Sequence, residues 1–263
     1  MKLAACYTIF NGLELLNDSI NQIKNHVDEI IICWQKISNK GNESNEIDLF
    51  IRQYNGKKNI HLVPFDPDLT VNTKENERLK HKKMLEMAKK IGCTHFFLSA
   101  TDHFYQQKEF LSAKKMCFSL DYDVTFTKMY TYYKEITWQL TPIEAYLMPF
   151  ICKLYPETTI ERRKSFPYDK IIVDPSVQIY PCNNWYIFSE EEIMLHHYSM
   201  IRTDIKNKFE NAAASIRWNE KMIQEFYNEW EKYNIDENPG VKYFQGRKIK
   251  IVDNYFFPNT KFT

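Results

Sequence analysis

The chain has 263 residues, enough for one large α/β domain or two small ones with a sizeable core, and one domain is expected. Lys and Arg number 35 against 34 Asp and Glu, a net charge of +1. No overall field therefore draws the chain to nucleic acid or an anionic surface, and any polyanion site must be local.

Glycine occurs only 6 times, without a GxGxxG or GxxxxGK[ST] run, which excludes a glycine-rich phosphate loop. The opening MKLAACYTIF lacks the basic region and long apolar run of a signal peptide, and no window holds the roughly 18 apolar residues of a membrane span. A cytosolic (cytoplasmic) protein without a transmembrane segment is expected. Cys6, Cys33, Cys93, Cys117, Cys152 and Cys182 form no CxxC pair. Several sit in apolar segments, and they read as buried free thiols of a reducing compartment.

In chain order, KLAACYTIF is a β-rich run ending at Asn11-Gly12, and Leu13, Leu16, Ile20 and Ile23 recur at helical spacing. DEIIICWQ reads as an apolar strand, EIDLFIRQY as a short helix and NIHLVPF as a third strand. Glu75 to Lys90 is strongly helical, with Gly92 placed as a C-cap. THFFLSA is the fourth strand. Strands of continuous apolar content separated by helices predict a mainly parallel sheet covered on both faces, a Rossmann-like α/β fold whose ligands sit at the carboxyl ends of the strands. Asp102 and His103 follow the end of the fourth strand, where such a sheet places its chemistry. The competing reading makes Asp102 a cap for the helix or turn beginning near FYQQKEFL.

Beyond this, YDVTFTKMYTYYKEITWQL has strand composition, TPIEAYLMPFICKL suggests a helix start near Pro142, and KIIVDPSVQIY suggests a strand broken at Asp174-Pro175. IMLHHYSMI is strand-like, and RTDIKNKFENAAASIRWNEKMIQEFYNEWEKY gives one long helical stretch or two in succession. Residues 1–233 are expected to form the domain, and 234–263 a tail packed on it.

Four features, in order, resemble the A-type fold of nucleotide-sugar glycosyltransferases, particularly family 2 and its lipopolysaccharide-core relatives. CYTIFNGLELLNDSINQIKNHVDEIIICWQ looks like their first strand, helix and second strand. ENERLKHKKMLEMAKKIGCTHFFLSATDHFY is similar to the helix and strand leading to their metal-binding DxD motif. VDPSVQ resembles an Asp-Pro turn of some relatives, and LHHYSMIRTDIKNK their late His-rich strand. The resemblance spans roughly residues 3 to 210. It implies a single A-type domain with a helical C-terminal region. The implied activity is transfer, by inversion, of a sugar from a UDP- or GDP-sugar to a glycan or other hydroxyl acceptor, with Mn²⁺ or Mg²⁺. The chain departs from the family at the motif itself: Ala100-Thr101-Asp102 keeps one carboxylate, and His103 follows. A metal-dependent and a metal-independent site both stay open.

A diphosphate leaving group must be neutralised by a divalent ion, by basic side chains or by both. Asp102 with His196 or His197 suits Mn²⁺; in a strand the two histidines face opposite sides, so spacing alone does not choose between them. Arg202 and Lys206 lie four residues apart, with Lys208 following, and Arg78 and Lys82 repeat that spacing on the earlier helix. Tyr7, Thr8, Phe10 and Asn11 at the end of the first strand, and Trp34 with Gln35 at the end of the second, are candidates to meet the nucleotide. The base that deprotonates the acceptor is sought in Glu144, near the aromatic Trp138, with Asp174 and Glu135 as competitors. Asp102→Ala is expected to abolish transfer and leave the fold intact. Two other readings remain: a non-catalytic carbohydrate-binding or assembly protein, consistent with 15% aromatic residues, and a nucleotidyltransferase on a similar sheet. A nucleic-acid substrate is disfavoured by the single carboxylate and the lack of a basic stripe.

Overall fold

The structure, a computed structural model, describes all residues except 45, 164, 213–217, 239 and 258–263. Its first half alternates as the pattern predicts: β1 (Leu3–Ile9), α1 (Leu13–Ile23), β2 (Glu29–Trp34), α2 (Ile47–Tyr54), β3 (Ile60–Pro64), α3 (Thr73–Lys90) and β4 (His95–Ala100). The four strands pair in parallel in the order β3-β2-β1-β4. β1, β2 and β4 are mostly apolar and buried because both faces of the sheet are covered there, whereas β3 is only partly buried. Leu3, Ala5, Tyr7 and Ile9 of β1 pack with Leu16, Ile20 and Ile23 of α1. Ala4 and Cys6 face the other way, toward Met84, Leu85 and Ala88 of α3. The Asn72 side chain caps the start of α3 by accepting from the Glu75 N–H at 2.9 Å. Gly92, at φ 72°, lies just past its end.

The second half continues with β5 (His103–Phe104), α4 (Gln107–Leu120), β6 (Val124–Tyr133), β7 (Trp138–Thr141), β8 (Met148–Lys153), β9 (Thr159–Ile160), β10 (Ile179–Tyr180), β11 (Trp185–Ile187), β12 (Met194–Met200), α5 (Ile205–Asn211), α6 (Glu220–Lys232) and β13 (Lys248–Ile251). β8 joins the parallel core by running antiparallel to β4, and β6 runs antiparallel to β8. β12 pairs in parallel with β6 and antiparallel with the short β5. This last pairing carries the His-rich strand to the end of β4. The α/β class and the Rossmann-like sheet are as expected, and the described residues of the late helical stretch form the helices α5 and α6.

Two local expectations change. No helix starts at Pro142: the chain there runs through a loop into β8, whose apolar Phe150, Ile151 and Cys152 are buried in the sheet, so packing overrides the Pro-first signal. No strand precedes Asp174 either. Its carboxylate accepts from the Ser176 N–H at 2.8 Å and caps a 3-10 turn over Pro175–Val177. Within the segment expected as a tail, β13 extends the sheet by pairing antiparallel with β7. All six cysteines are free and buried. Among the described residues no helix is long and apolar enough to cross a membrane.

His95 in β4 is 4% exposed, lies edge-on to Phe118 at 4.7 Å, and its ring is lowered to about 4, mainly by burial. Above about pH 6.5 folded and unfolded chains both hold it neutral, whereas below that value only the unfolded chain takes up the proton. The urea midpoint is therefore expected to fall between about pH 7 and pH 5, and to fall less in His95→Gln. An equal decline in both proteins would remove His95 from the account.

Candidate functional site

The carboxyl ends of β1, β2 and β4 open onto one cavity of about 250 Å³. Thr8 of β1, Phe10 and Asn11 just after it, and Gln35 just after β2 line it. Gln35 is 1% exposed; its amide nitrogen donates to the Ile37 carbonyl at 2.9 Å, while Oε1 has no partner among the described residues. From β4 and the residues after it come Ala100, Thr101, Asp102 and His103. β12 and α5 close the far side with His197, Arg202 and Lys208.

Asp102 is the centre of this group and is 3% exposed. Its Oδ2 accepts from Arg202 Nη2 at 2.6 Å and stands 3.5 Å from Lys208 Nζ. Its Oδ1 faces the Nε2 atoms of His103 and His197, each at 3.9 Å. The two imidazoles meet edge to face because His103 and His197 are register partners across β5 and β12. Burial pushes the Asp102 carboxyl up, but Lys208 and Arg202, with the histidines, outweigh it and hold the group well below the usual carboxylate range. Burial lowers His103 to about 4 and His197 to about 3, against the pull of Asp102. Burial also lowers the Lys208 ammonium. At neutral pH Asp102 is therefore a carboxylate and the imidazoles of His103 and His197 are neutral.

Arg202 depends on Gly12 at the N-terminus of α1. Gly12 has φ 79°, and a Cβ built on it would lie 1.1 Å from Arg202 Nη1. The guanidinium occupies the space that any other residue would fill. Its Nη1 and Nε have no hydrogen-bond partner among the described residues although the side chain is buried. These are unused donors in the wall of a polar cavity.

A divalent ion fits this donor set. The three ligating atoms of Asp102, His103 and His197 lie within 4.8 Å of one another, and separations of 3.9 Å are too long for hydrogen bonds. Both imidazoles are already deprotonated, as ligation requires. One oxygen and two nitrogen ligands suit Mn²⁺ and the later first-row ions better than Mg²⁺.

Of the residues singled out in the sequence, Thr8, Phe10, Asn11, Gln35, Asp102, His103, His197, Arg202 and Lys208 come together at the cavity. His196 does not. It faces the other side of β12, where Tyr132 Oη bonds its Nδ1 at 2.7 Å. Tyr7 is wholly buried, with its hydroxyl against Ser19. Trp34 packs on the apolar cluster that holds α1 and α2. Arg78 pairs with Glu75 and donates to the Ile160 carbonyl; Lys82 is half-buried and Lys206 exposed, and none of the three lines the cavity. Asp174 is bound to Lys74 and to Ser176. Glu144 stands one strand away: its Oε1 is 3.3 Å from the hydroxyl of Thr131, the register partner of His197, and 3.4 Å from Arg247 Nη1.

One contributor was missed by pairing residues four apart. Lys80, 3% exposed, points from α3 into the cavity and pairs with Glu77 at 2.7 Å, which in turn accepts from Asn39 at 2.6 Å. The signal was present: Asn76, Lys80 and Met84 form one i, i+4 stripe on the buried face of α3, and a lysine on such a stripe needs a partner. His103 carried the right chemistry, but only the β5–β12 pairing shows that it turns toward Asp102.

No protein-family model matches the chain, and no curated protein is similar to it in sequence. In chain course it is similar to TarS of S. aureus. The crystal structure of TarS 1-349 superposes with a TM-score of 0.48 at 11% identity, over 84% of this chain and 66% of that one. The longer TarS structure gives 0.48 and 11%, over 90% and 45%. TarS 1-349 in complex with UDP-GlcNAc gives 0.46 and 11%, over 75% and 58%. In each of these the chain covers less than two thirds of the TarS chain.

Proposed function

We propose that the protein is a glycosyltransferase that moves a sugar from a UDP- or GDP-sugar to a hydroxyl of a glycan acceptor. The observation that supports this most is the convergence of Asp102, His103, His197, Arg202 and Lys208 on one cavity at the strand ends. A leaving diphosphate concentrates negative charge, and a site for it must offer cations and unused N–H donors in a sheltered place. Arg202, Lys208 and Lys80 provide these, and the polar ends of β1 and β2 are left for the nucleoside. Asp102, His103 and His197 would hold Mn²⁺ or a similar ion, which when bound supplies Lewis-acid neutralisation of the diphosphate.

In the transfer, the C1–O bond to the β-phosphate breaks and its electron pair leaves with the nucleoside diphosphate. The acceptor oxygen bonds to C1, and its proton passes to a carboxylate. Glu144 is the carboxylate we assign to this step, acting by inversion, since its two neighbours hold it only at 3.3 and 3.4 Å. Asp174 is fixed in its turn by Lys74 and Ser176, which bring its carboxyl down to about 2 despite burial, a poor base at neutral pH. Glu144→Gln is expected to slow transfer at unchanged nucleotide affinity, measured by single-turnover assay and calorimetry. A parallel loss of both would place Glu144 in donor binding instead.

The donor site is tested by thermal shift with UDP, GDP and ADP, each with and without Mn²⁺, because a ligand of the native state alone raises its stability. UDP or GDP is expected to stabilise the protein more than ADP. His103→Ala and His197→Ala are expected to weaken Mn²⁺ and nucleotide together, and His196→Ala to leave both unchanged. Equal stabilisation by ADP, or by no nucleotide, would sink the reading. Nucleotide binding that ignores chelator and both site histidines would assign the diphosphate to Arg202, Lys208 and Lys80 alone.

A further inference from the structure

The reverse face of β12 carries a second cavity that donor binding does not use. It measures about 470 Å³, within the range of small-molecule sites, about 300–1,000 Å³. Its walls come from distant parts of the chain: Gln106 and Glu109 at the start of α4, Tyr130 of β6, Gln139 of β7, and Tyr255 beyond β13. His196 forms part of the wall, edge-on to Tyr130 at 5.4 Å and to Tyr255 at 5.5 Å. A further cavity of about 480 Å³ shares Gln106 and Glu109 with the first and is also lined by Ser112 of α4 and by Glu192 of the turn before β12. The two form an elongated groove.

The groove's chemistry disfavours phosphates: among the described residues Lys250 is the single Lys or Arg in the first cavity, against Glu109 and Glu190, and Lys108 the single one in the second, against Glu109, Glu191 and Glu192. It also is not a greasy slot. Carboxylates and side-chain amides offer paired donors and acceptors to vicinal hydroxyls, while a tyrosine ring offers a flat face to C–H groups. Glu109 is half-buried and, among the described residues, accepts only from the Met194 N–H, at 3.3 Å. Tyr255 is 47% exposed, an aromatic surface turned to solvent at the mouth.

We propose that this groove binds a neutral oligosaccharide, and that it holds the acceptor chain at a point removed from the transfer site. His196 and His197 are consecutive residues of one strand facing opposite sides, so the groove and the donor cavity lie on opposite sides of β12. An occupant of the groove therefore does not overlap the diphosphate. The role as an acceptor holdfast rests on the transferase reading; the binding itself does not.

The test is saturation-transfer NMR on the full chain with cellotetraose, maltotetraose and chitotetraose, in the absence and presence of UDP and GDP. At least one tetrasaccharide is expected to receive saturation, and neither nucleotide to displace it. Tyr255→Ala, at an exposed position, and the isosteric Glu109→Gln are each expected to weaken that binding about tenfold, as loss of a stacking face or a charged hydrogen-bond acceptor does. Thermal unfolding identifies any variant that fails to fold. Absence of saturation for all three sugars, survival of binding in both variants, or displacement by nucleotide would each overturn the proposal. A chain that binds tetrasaccharide in the groove and no nucleotide would retain this inference and lose the transferase reading, which separates the two failures.

Discussion

Asp102→Ala is expected to cost about 3–5 kcal/mol of folding stability as well as the site, because it leaves buried charges unpaired. The sequence reading, in which the fold survives this change, treats Asp102 as a functional group rather than a cap. At 3% exposure it is also the shared anion of Arg202, itself 7% exposed, and Lys208. Without it the guanidinium keeps, among the described residues, only Thr101 Oγ1 at 3.4 Å and a distant Glu14 at 3.9 Å. Urea unfolding measures the loss. Asp102→Asn separates the two roles, since the amide oxygen still accepts from Arg202 while the negative charge is gone. We expect Asp102→Asn to lose Mn²⁺ binding yet to bind nucleoside diphosphate more tightly than the parent in chelator, because the cavity becomes more positive. Weaker metal-free binding would mean that Asp102 contacts the nucleotide by another route. The carboxyl's depressed pKa gives the acid dependence its sign: the pair's contribution is present above the ordinary carboxylate value of about 3.9, and is lost only as pH falls through the lower folded value.

How much of this was legible depended on the range of the interaction. β1 through β4 and their helices announced themselves because a parallel strand buried on both faces is apolar at every position, and a covering helix repeats at 3.6. The position of Asp102 followed from the rule that such sheets place ligands at strand ends. What the sequence does not encode locally is which remote strand meets that end. The pairing of β12 with β5 selects His197 over His196 and recruits His103, and it is a contact between residues almost a hundred positions apart. Arg78 and Lys82 illustrate the converse failure. Their i, i+4 spacing is real, but the face of α3 that reaches the cavity is the one carrying Lys80. Charge spacing tells which residues share a face, and only apolar periodicity tells which face is inside.

Gly12→Ala is expected to abolish nucleotide binding through a residue that bears no functional group. Two costs combine. An alanine at φ 79° sits in the left-handed region, a penalty of roughly 1–2 kcal/mol. The larger consequence is steric: its Cβ would lie 1.1 Å from Arg202 Nη1 and 2.3 Å from Cζ, so the guanidinium has to leave. Asp102 then loses its 2.6 Å partner and retains Lys208, and the unused donors of Arg202 no longer face the cavity. The two costs are separable by a double-mutant cycle with Arg202→Ala. In the Arg202→Ala background the clash is absent, and Gly12→Ala should cost only the backbone term, about 1–2 kcal/mol by urea unfolding, with no further loss of nucleotide affinity. In the parent it should cost more and take the affinity with it. Equal costs in both backgrounds would mean that Gly12 serves the turn into α1 alone, and that the contact with Arg202 contributes nothing to the site.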